Sequence, residues 1–364
     1  MWFTNFITLM SDGFQIKIEK TEKSNLGSID FSNLPFGKFY GDHMFVADYK
    51  DGVWVDARIV PFQNLSLSPA NLSLHYGQLI FEGLKAYRNV NGEIVLFRPE
   101  AHLERINKSA DRMCMALLTE DVFLKGLYEL LKVDAAWIPN DPDSSLYIRP
   151  FMIAMDEGIG VTPSKTYKFM IITSPVSKYY SEPVKVIFED HYVRAGEGGV
   201  GFSKTAANYA ASLYPTKLAV EKGYNQLIWT DAKEHKYIEE SGTMNIMFII
   251  NDTLVTPALH DSILSGITRD SILTLAREWG YKVEERKVSV DEVVEALKNG
   301  SLQDAFGTGT AAVVAPFASI THQGTDYTLA PVETRTFSAK LKQTLLDIRL
   351  GKAEDKHNWV YIVN

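Results

Sequence analysis

A mixed α and β fold in two domains is what this sequence asks for, and three features carry that reading. The chain has 364 residues, beyond the ~250–300 at which a single hydrophobic core stops growing. Runs that alternate every second residue are interleaved with runs of helical period along its whole length. The turn-forming pairs Asp51-Gly52, Asn91-Gly92 and Asn251-Asp252 each separate two β-rich runs, which predicts antiparallel hairpins in both halves.

The elements follow in order. After Asp51-Gly52, Val53, Val55, Ala57 and Ile59 alternate with more polar neighbours as a half-buried strand does. Pro99 suits the first turn of a helix, whose stripe is Leu103, Ile106, Ala110, Met113 and Leu117. A second helix starts near Thr119 and carries Phe123, Leu127, Leu130 and Leu131 on one side. Strands are expected over 145–155 and 167–173. The stretch from Ser174 to Pro183 reads as a connection, so the division is drawn as a first domain 1–177, a connection 178–189 and a second domain 190–364. Downstream, strands are expected over 184–188, 226–229, 237–239, 245–250 and 253–256. A helix over 268–279 should bury Ile272, Leu275, Ala276 and Trp279, and one over 334–350 should bury Phe337, Leu341, Leu345 and Ile348.

Composition excludes several classes of function. Hydrophobic residues at 46% and charged residues at 23% are the balance of an ordinary globular protein, not of a disordered one. The formal charge of −8 argues against nucleic acid or an anionic membrane as a partner. Cys114 is the only cysteine, so an intrachain disulfide and a thiolate metal cluster are unavailable. The eight histidines lack the i, i+4 spacing of a helical metal pair, and no metal is expected. No segment approaches the ~18 consecutive apolar residues of a membrane helix. The apolar start, Met1 to Met10, has no positive charge before Lys17, unlike a secretory or transit peptide. A cytoplasmic enzyme is the expectation.

Gly196, Gly198 and Gly201 form G-x-G-x-x-G between an expected strand and an expected helix, the pattern of a dinucleotide-binding turn. The hairpins after Trp229 do not suit that fold, which continues in parallel strands with crossovers. Glu221, at the distance of a ribose-binding acid, falls inside the expected helix rather than at a strand end. Lys204 is the more informative residue. It stands among Gly, Ala and Ser with no other charge nearby in sequence. Confinement and the positive end of a following helix would both favour its free amine. The plain alternative is a surface lysine at a helix start.

A second segment, Tyr237 to Asn245, joins that one in resembling branched-chain-amino-acid aminotransferases, pyridoxal-phosphate enzymes of fold type IV. The resemblance runs through Phe36-Gly37-Lys38, Asp42-His43-Met44, Tyr76-Gly77-Gln78, Phe81-Glu82-Gly83-Leu84-Lys85-Ala86, Leu96-Phe97-Arg98-Pro99, Tyr147-Ile148-Arg149-Pro150, Phe306 to Ala311 and His357-Asn358-Trp359. It implies a smaller α/β N-terminal domain and a larger C-terminal domain with a barrel-like sheet. It implies pyridoxal 5′-phosphate as cofactor, and transamination between Leu, Ile or Val and 2-oxoglutarate by a ping-pong route in a homodimer.

By that resemblance Lys204 is the Schiff-base lysine and proton shuttle, and Glu240 pairs with the pyridine nitrogen. Arg105, Ile267, Thr268 and Thr310 correspond to the phosphate site and Tyr209 to the tyrosine on the phenolic oxygen. Periodicity alone puts Arg105 on the helix surface, and Glu240 alone reads as one of two acids on an exposed strand end. Phe36, Tyr76, Phe81, Tyr147, Tyr179 and Thr243 correspond to pocket positions, with Thr243 also placed at the cofactor. Ala311 and Ala312, with Tyr76, resemble the α-carboxylate site, and Arg149 suits the second carboxylate of glutamate. The Cys-x-x-Cys of animal members is replaced by Ala312 and Ala315, so a thiol–disulfide switch is not expected. Other fold-type IV enzymes, a D-amino-acid aminotransferase or an aminodeoxychorismate lyase, are the nearest alternatives. A nicotinamide-dependent oxidoreductase is the alternative of another class.

Overall fold

The computed structural model describes residues 7–9, 14–177, 180 and 182–364. Two compact units result, the first formed by Met1–Tyr179, Ser203–Ala206 and Asp347–Asn364, the second by Tyr180–Phe202 and Ala207–Leu346.

The first unit holds β1 (Ile7–Leu9), β2 (Ile16–Ile18), β3 (His43–Lys50), β4 (Val53–Pro61), β5 (Leu79–Phe81), β6 (Leu84–Arg88), β7 (Ile94–Phe97), β8 (Ser145–Ala154) and β9 (Tyr167–Val176). They join in the order β1-β2-β4-β3-β9-β8-β6-β7, the C-terminal strand Val360–Ile362 adds beyond β7, and β5 pairs with β8. Its helices are α1 (Leu72–Tyr76), α2 (Pro99–Arg112) and α3 (Gly126–Val133), the last preceded by a π-helical turn at Asp121–Lys125. Leu103, Ile106 and Ala110 of α2 and Leu127, Leu130 and Leu131 of α3 share a core with Phe45, Ile59 and Phe169. Close approach requires Gly126, because a Cβ there would lie 2.7 Å from the Phe45 ring.

In the second unit are β10 (Val184–Phe188), β11 (Gln226–Thr230), β12 (Ile238–Ser241), β13 (Asn245–Ile250), β14 (Thr253–Pro257), β15 (Lys282–Arg286), β16 (Leu302–Gly309), β17 (Val313–His322) and β18 (Thr325–Thr328). Their order is β12-β11-β10-β17-β16-β13-β14-β15, with β18 on β17. The path curls back on itself, since β12 and β13 are also joined through the tight turn Ser241–Met244. That is the barrel-like sheet expected. Helices α4 (Ala206–Glu221), α5 (Ile267–Glu278), α6 (Val290–Asn299) and α7 (Thr336–Arg349) complete the chain.

Several expectations change. Leu117 lies past the end of α2 and is exposed. Trp279 is the C-cap of α5 and only half-buried. Strand β9 continues through Ser174 and Pro175, which pair with Tyr147 and Leu146. The strand expected over 184–188 is β10. Asn91-Gly92 is part of a longer loop held by Asn89 Oδ1, which accepts from Asn91 N and Glu93 N. The first unit also takes in Ser203–Ala206 and Asp347–Asn364 from later in the chain. Ser203–Ala206 joins it because Phe81 N donates to Lys204 O at 3.0 Å and Thr205 Oγ1 donates to Leu79 O at 2.8 Å.

Candidate functional site

Helix α2 brings a charge into the first unit that periodicity would leave on its surface. Arg105 is 8% exposed and Glu82 is completely buried. Arg105 Nε donates to Glu82 Oε1 at 2.6 Å and Nη2 donates to Oε2 at 2.8 Å. His102, one turn earlier, places Nδ1 2.7 Å from Glu82 Oε2. Burial alone would raise the Glu82 carboxyl, but Arg105 and His102 more than reverse that and hold it far below the usual carboxylate range. Burial lowers His102, and Glu82 opposes the shift while Arg105 and Lys204 add to it.

Lys204 is anchored to the same elements. Its backbone N donates to Ser109 Oγ of α2 at 2.9 Å, and its Nζ stands 4.9 Å from the centre of the Phe81 ring. Arg149 Cζ stands 4.6 Å from the centre of that ring. Arg149 Nη2 donates to Tyr147 Oη at 2.9 Å, whereas its buried Nε donates to nothing. Phe36 meets Tyr147 edge-on at 4.9 Å. Residues 147 and 149 alternate onto one face of β8, which places amine, guanidinium and aromatic rings together. Gly83 is required here, because a Cβ would lie 2.3 Å from Tyr147 Oη. Tyr76 differs from expectation: it is exposed, and its hydroxyl donates to the Ile159 carbonyl. Tyr179 lies outside the described residues.

In the second unit Glu240 is 3% exposed, not at the exposed strand end its sequence suggests. Leu264 N at 2.9 Å and Asn245 Nδ2 at 3.2 Å both donate to its Oε1. Arg194 Nε is 3.0 Å from its Oε2 as an ion pair, though the N–H itself is not aimed at an acceptor. Asn245 also donates to Leu264 O at 2.9 Å, tying the carboxylate to the loop that enters α5. Gly266 is the N-cap of α5 and supplies no side-chain cap. A larger residue has no room there, because a Cβ would lie 1.9 Å from Asn245 Oδ1. Thr268 is buried in the first turn and Ile267 opens it, an arrangement suited to an anion.

Thr310, Ala311 and Ala312 form the turn between β16 and β17 and are half-buried. Thr243 is exposed in the two-residue turn between β12 and β13, and Tyr209 is half-buried on α4. The glycines 196–201 lie in a long loop pinned by Gly198 N and Phe202 N to Asp261. Strands β10 and β11 pair in parallel across α4, and β14 and β15 across α5, but between those crossovers the pairs are antiparallel. Glu82, His102, Arg194 and Asn245 were not singled out from sequence. Glu82 and Asn245 are legible only as parts of quoted motifs, and His102 and Arg194 carry no local signal.

The model of the amino-transferase class IV family matches residues 79–320. Branched-chain-amino-acid aminotransferase 2 of Bacillus subtilis is 48% identical over 334 residues, 91% of this chain and 92% of that one. A probable branched-chain-amino-acid aminotransferase of Staphylococcus epidermidis is 46% identical over 95% of this chain and 97% of its own. Among solved structures, the Escherichia coli branched-chain amino acid aminotransferase superposes with a TM-score of 0.72 at 26% identity, covering 89% of this chain and 100% of that one.

Proposed function

From its place in the amino-transferase class IV family, to which this chain belongs, we propose that it transfers the α-amino group between branched-chain L-amino acids and 2-oxoglutarate. The products are branched-chain 2-oxo acids and L-glutamate, by a ping-pong route with pyridoxal 5′-phosphate as cofactor. When bound, that cofactor supplies an aldehyde for amines and a ring that accepts electrons from the substrate α-carbon.

The donor set of this chain supports the fit. Glu240 is a fixed carboxylate for a protonated ring nitrogen, steadied by Leu264 N, Asn245 and Arg194. The start of α5, with Ile267 and Thr268 behind a glycine that cannot be enlarged, suits the phosphate. By the family resemblance, Arg105, its guanidinium held by Glu82, and Thr310 are assigned to the phosphate. Tyr209 is assigned to the phenolic oxygen and Thr243 to the edge shared by cofactor and substrate. Lys204 acts as nucleophile and then as the base that moves a proton from the substrate α-carbon.

The observation that carries the substrate reading is the Phe81 ring, flanked by Lys204 Nζ at 4.9 Å and by Arg149 at 4.6 Å. With Phe36 and Tyr147 it offers an aliphatic side chain an aromatic wall, while Arg149 offers glutamate a partner for its second carboxylate. The backbone at Ala311 and Ala312 is assigned to the α-carboxylate, and Tyr76 is assigned to the substrate. The same reading makes the protein a cytoplasmic homodimer, to be measured by sedimentation. Among the described residues no helix is long and apolar enough to cross a membrane.

Single-turnover spectroscopy of the cofactor-loaded protein tests this. L-leucine and L-glutamate should each discharge the cofactor band. Turnover with D-alanine or aminodeoxychorismate in preference to both would overturn the assignment.

A further inference from the structure

Strand β12 carries a second buried carboxyl that the function above does not use. Glu239 is 3% exposed. Across β11 and β12, Ile228 pairs with Ser241 and Thr230 with Ile238, so Glu239 and Glu240 together face the single residue Trp229. That is a bulge, the device that re-aims side chains beside functional sites. A regular strand would send the two carboxyls to opposite faces. Here both reach one loop: Glu239 Oε1 bonds Ser262 Oγ, and Glu240 Oε1 accepts from Leu264 N.

The two carboxyls are not equally provided for. Glu240 receives Leu264 N, Asn245 Nδ2 and the charge of Arg194. Glu239 Oε2 is buried and accepts no hydrogen bond. Ser262 Oγ also lies 3.1 Å from Nδ1 of His260, which is exposed. The charged groups facing Glu239 are Arg194 from the loop before α4, Glu240 from its own strand, Asp231 from the turn after β11, and His260 through Ser262.

We propose that Glu239 is a positioning residue held as the neutral acid, which keeps the pair's single negative charge on Glu240, and that Ser262 and His260 connect its proton to solvent. Neutral Glu239 donates its proton to Ser262 Oγ, whose own hydrogen turns to His260 Nδ1. On ionisation the direction reverses, His260 Nδ1–H donating to Ser262 and Ser262 to the carboxylate. No proton is created or lost along the path except at the exposed imidazole. Burial is the main reason the Glu239 carboxyl is raised to about 7; Ser262 and Arg194 oppose the rise, while Glu240 and Asp231 add to it. The importance of Glu240 rests on the function proposed above, but the protonation of Glu239 does not.

The test therefore begins on cofactor-free protein. Infrared difference spectra of wild type minus Glu239→Gln at pH 6 should show the band of a protonated carboxyl, and that band should fade as pH rises through about 7. Ser262→Ala removes a hydrogen bond that favours the carboxylate, so the band should persist to higher pH. In loaded protein, Glu239→Gln should abolish the pH dependence that Glu239 ionisation imposes on the cofactor's visible band, a signature a purely structural acid would not move. Absence of the protonated band at pH 6 in the cofactor-free protein, or a Ser262→Ala shift to lower pH, overturns the proposal. Failure to bind cofactor at all would instead count against the function and leave the infrared result standing.

Discussion

Replacing Glu82 by Gln isolates the buried cluster of the first unit. Glutamine keeps the shape of glutamate, but it removes the charge facing Arg105 and turns one acceptor into a donor. Glu82 is fully buried, Arg105 is 8% exposed and His102 is 3% exposed, so water cannot replace the lost partner. Breaking a buried ion pair from one side costs about 3–5 kcal/mol, because the remaining charge stays desolvated. Urea unfolding of cofactor-free protein at pH 7 should show a loss in that range. The pH dependence follows with a definite sign. The folded carboxyl is depressed below its ordinary value of 4.5, so its contribution is complete above that value and is lost as pH falls toward the folded one. The gap between wild type and variant should therefore narrow on acidification below about pH 4.5. A gap under about 1 kcal/mol at pH 7, the scale of an exposed pair, would refute the buried-pair argument, as would a gap that widens with acid.

Three further outcomes follow from the same geometry. Lys204→Ala should remain folded and bind cofactor without the visible absorbance of the lysine-bound form; an unchanged band would remove Lys204 from its role. Arg149→Ala should slow the glutamate half-reaction by roughly 10–100-fold, the scale of a charge-assisted hydrogen bond, while the leucine half-reaction changes little. Equal losses for both amino acids would count against Arg149 as the second-carboxylate partner. Gly266→Ala drives a Cβ to within 1.9 Å of Asn245 Oδ1 and should cost about 1–3 kcal/mol while weakening cofactor affinity, measured by equilibrium titration. Wild-type stability and affinity together would show that the loop yields freely.

The elements most legible from sequence are those whose signal is local. Asp51 and Gly52 have φ of 52° and 85°, and Asn251 and Asp252 have 47° and 59°, the left-handed pairs that tight hairpin turns demand. The α2 and α3 stripes are buried because helical period alone decides which side faces the sheet. Ser289, whose Oγ accepts from Glu292 N at the start of α6, is the first residue of the local capping pattern Ser289-Val290-Asp291-Glu292. Tyr76 shows the converse: matching a family motif said nothing about its exposure or its bond to Ile159.

Buried charge is where pattern reading fails, and the reason is physical. Periodicity treats every charged residue as a solvent-facing one, which holds unless a partner is supplied from elsewhere. For Arg105 that partner is Glu82, in the link between β5 and β6 and 23 residues away, so no window of helical length contains both. Glu240 needs Arg194, Asn245 and Leu264 from three separate segments. Glu239 goes one step further. Strict alternation predicts that two adjacent acids cannot both face one loop, and what brings them there is a single extra residue in the pairing of β12 with β11. The charge state of the site thus depends on strand register, a property of two segments together that neither segment encodes by itself. The formal net charge of −8 carries no trace of it, because a neutralised acid and a compensated ion pair are both invisible to a sum over residue types.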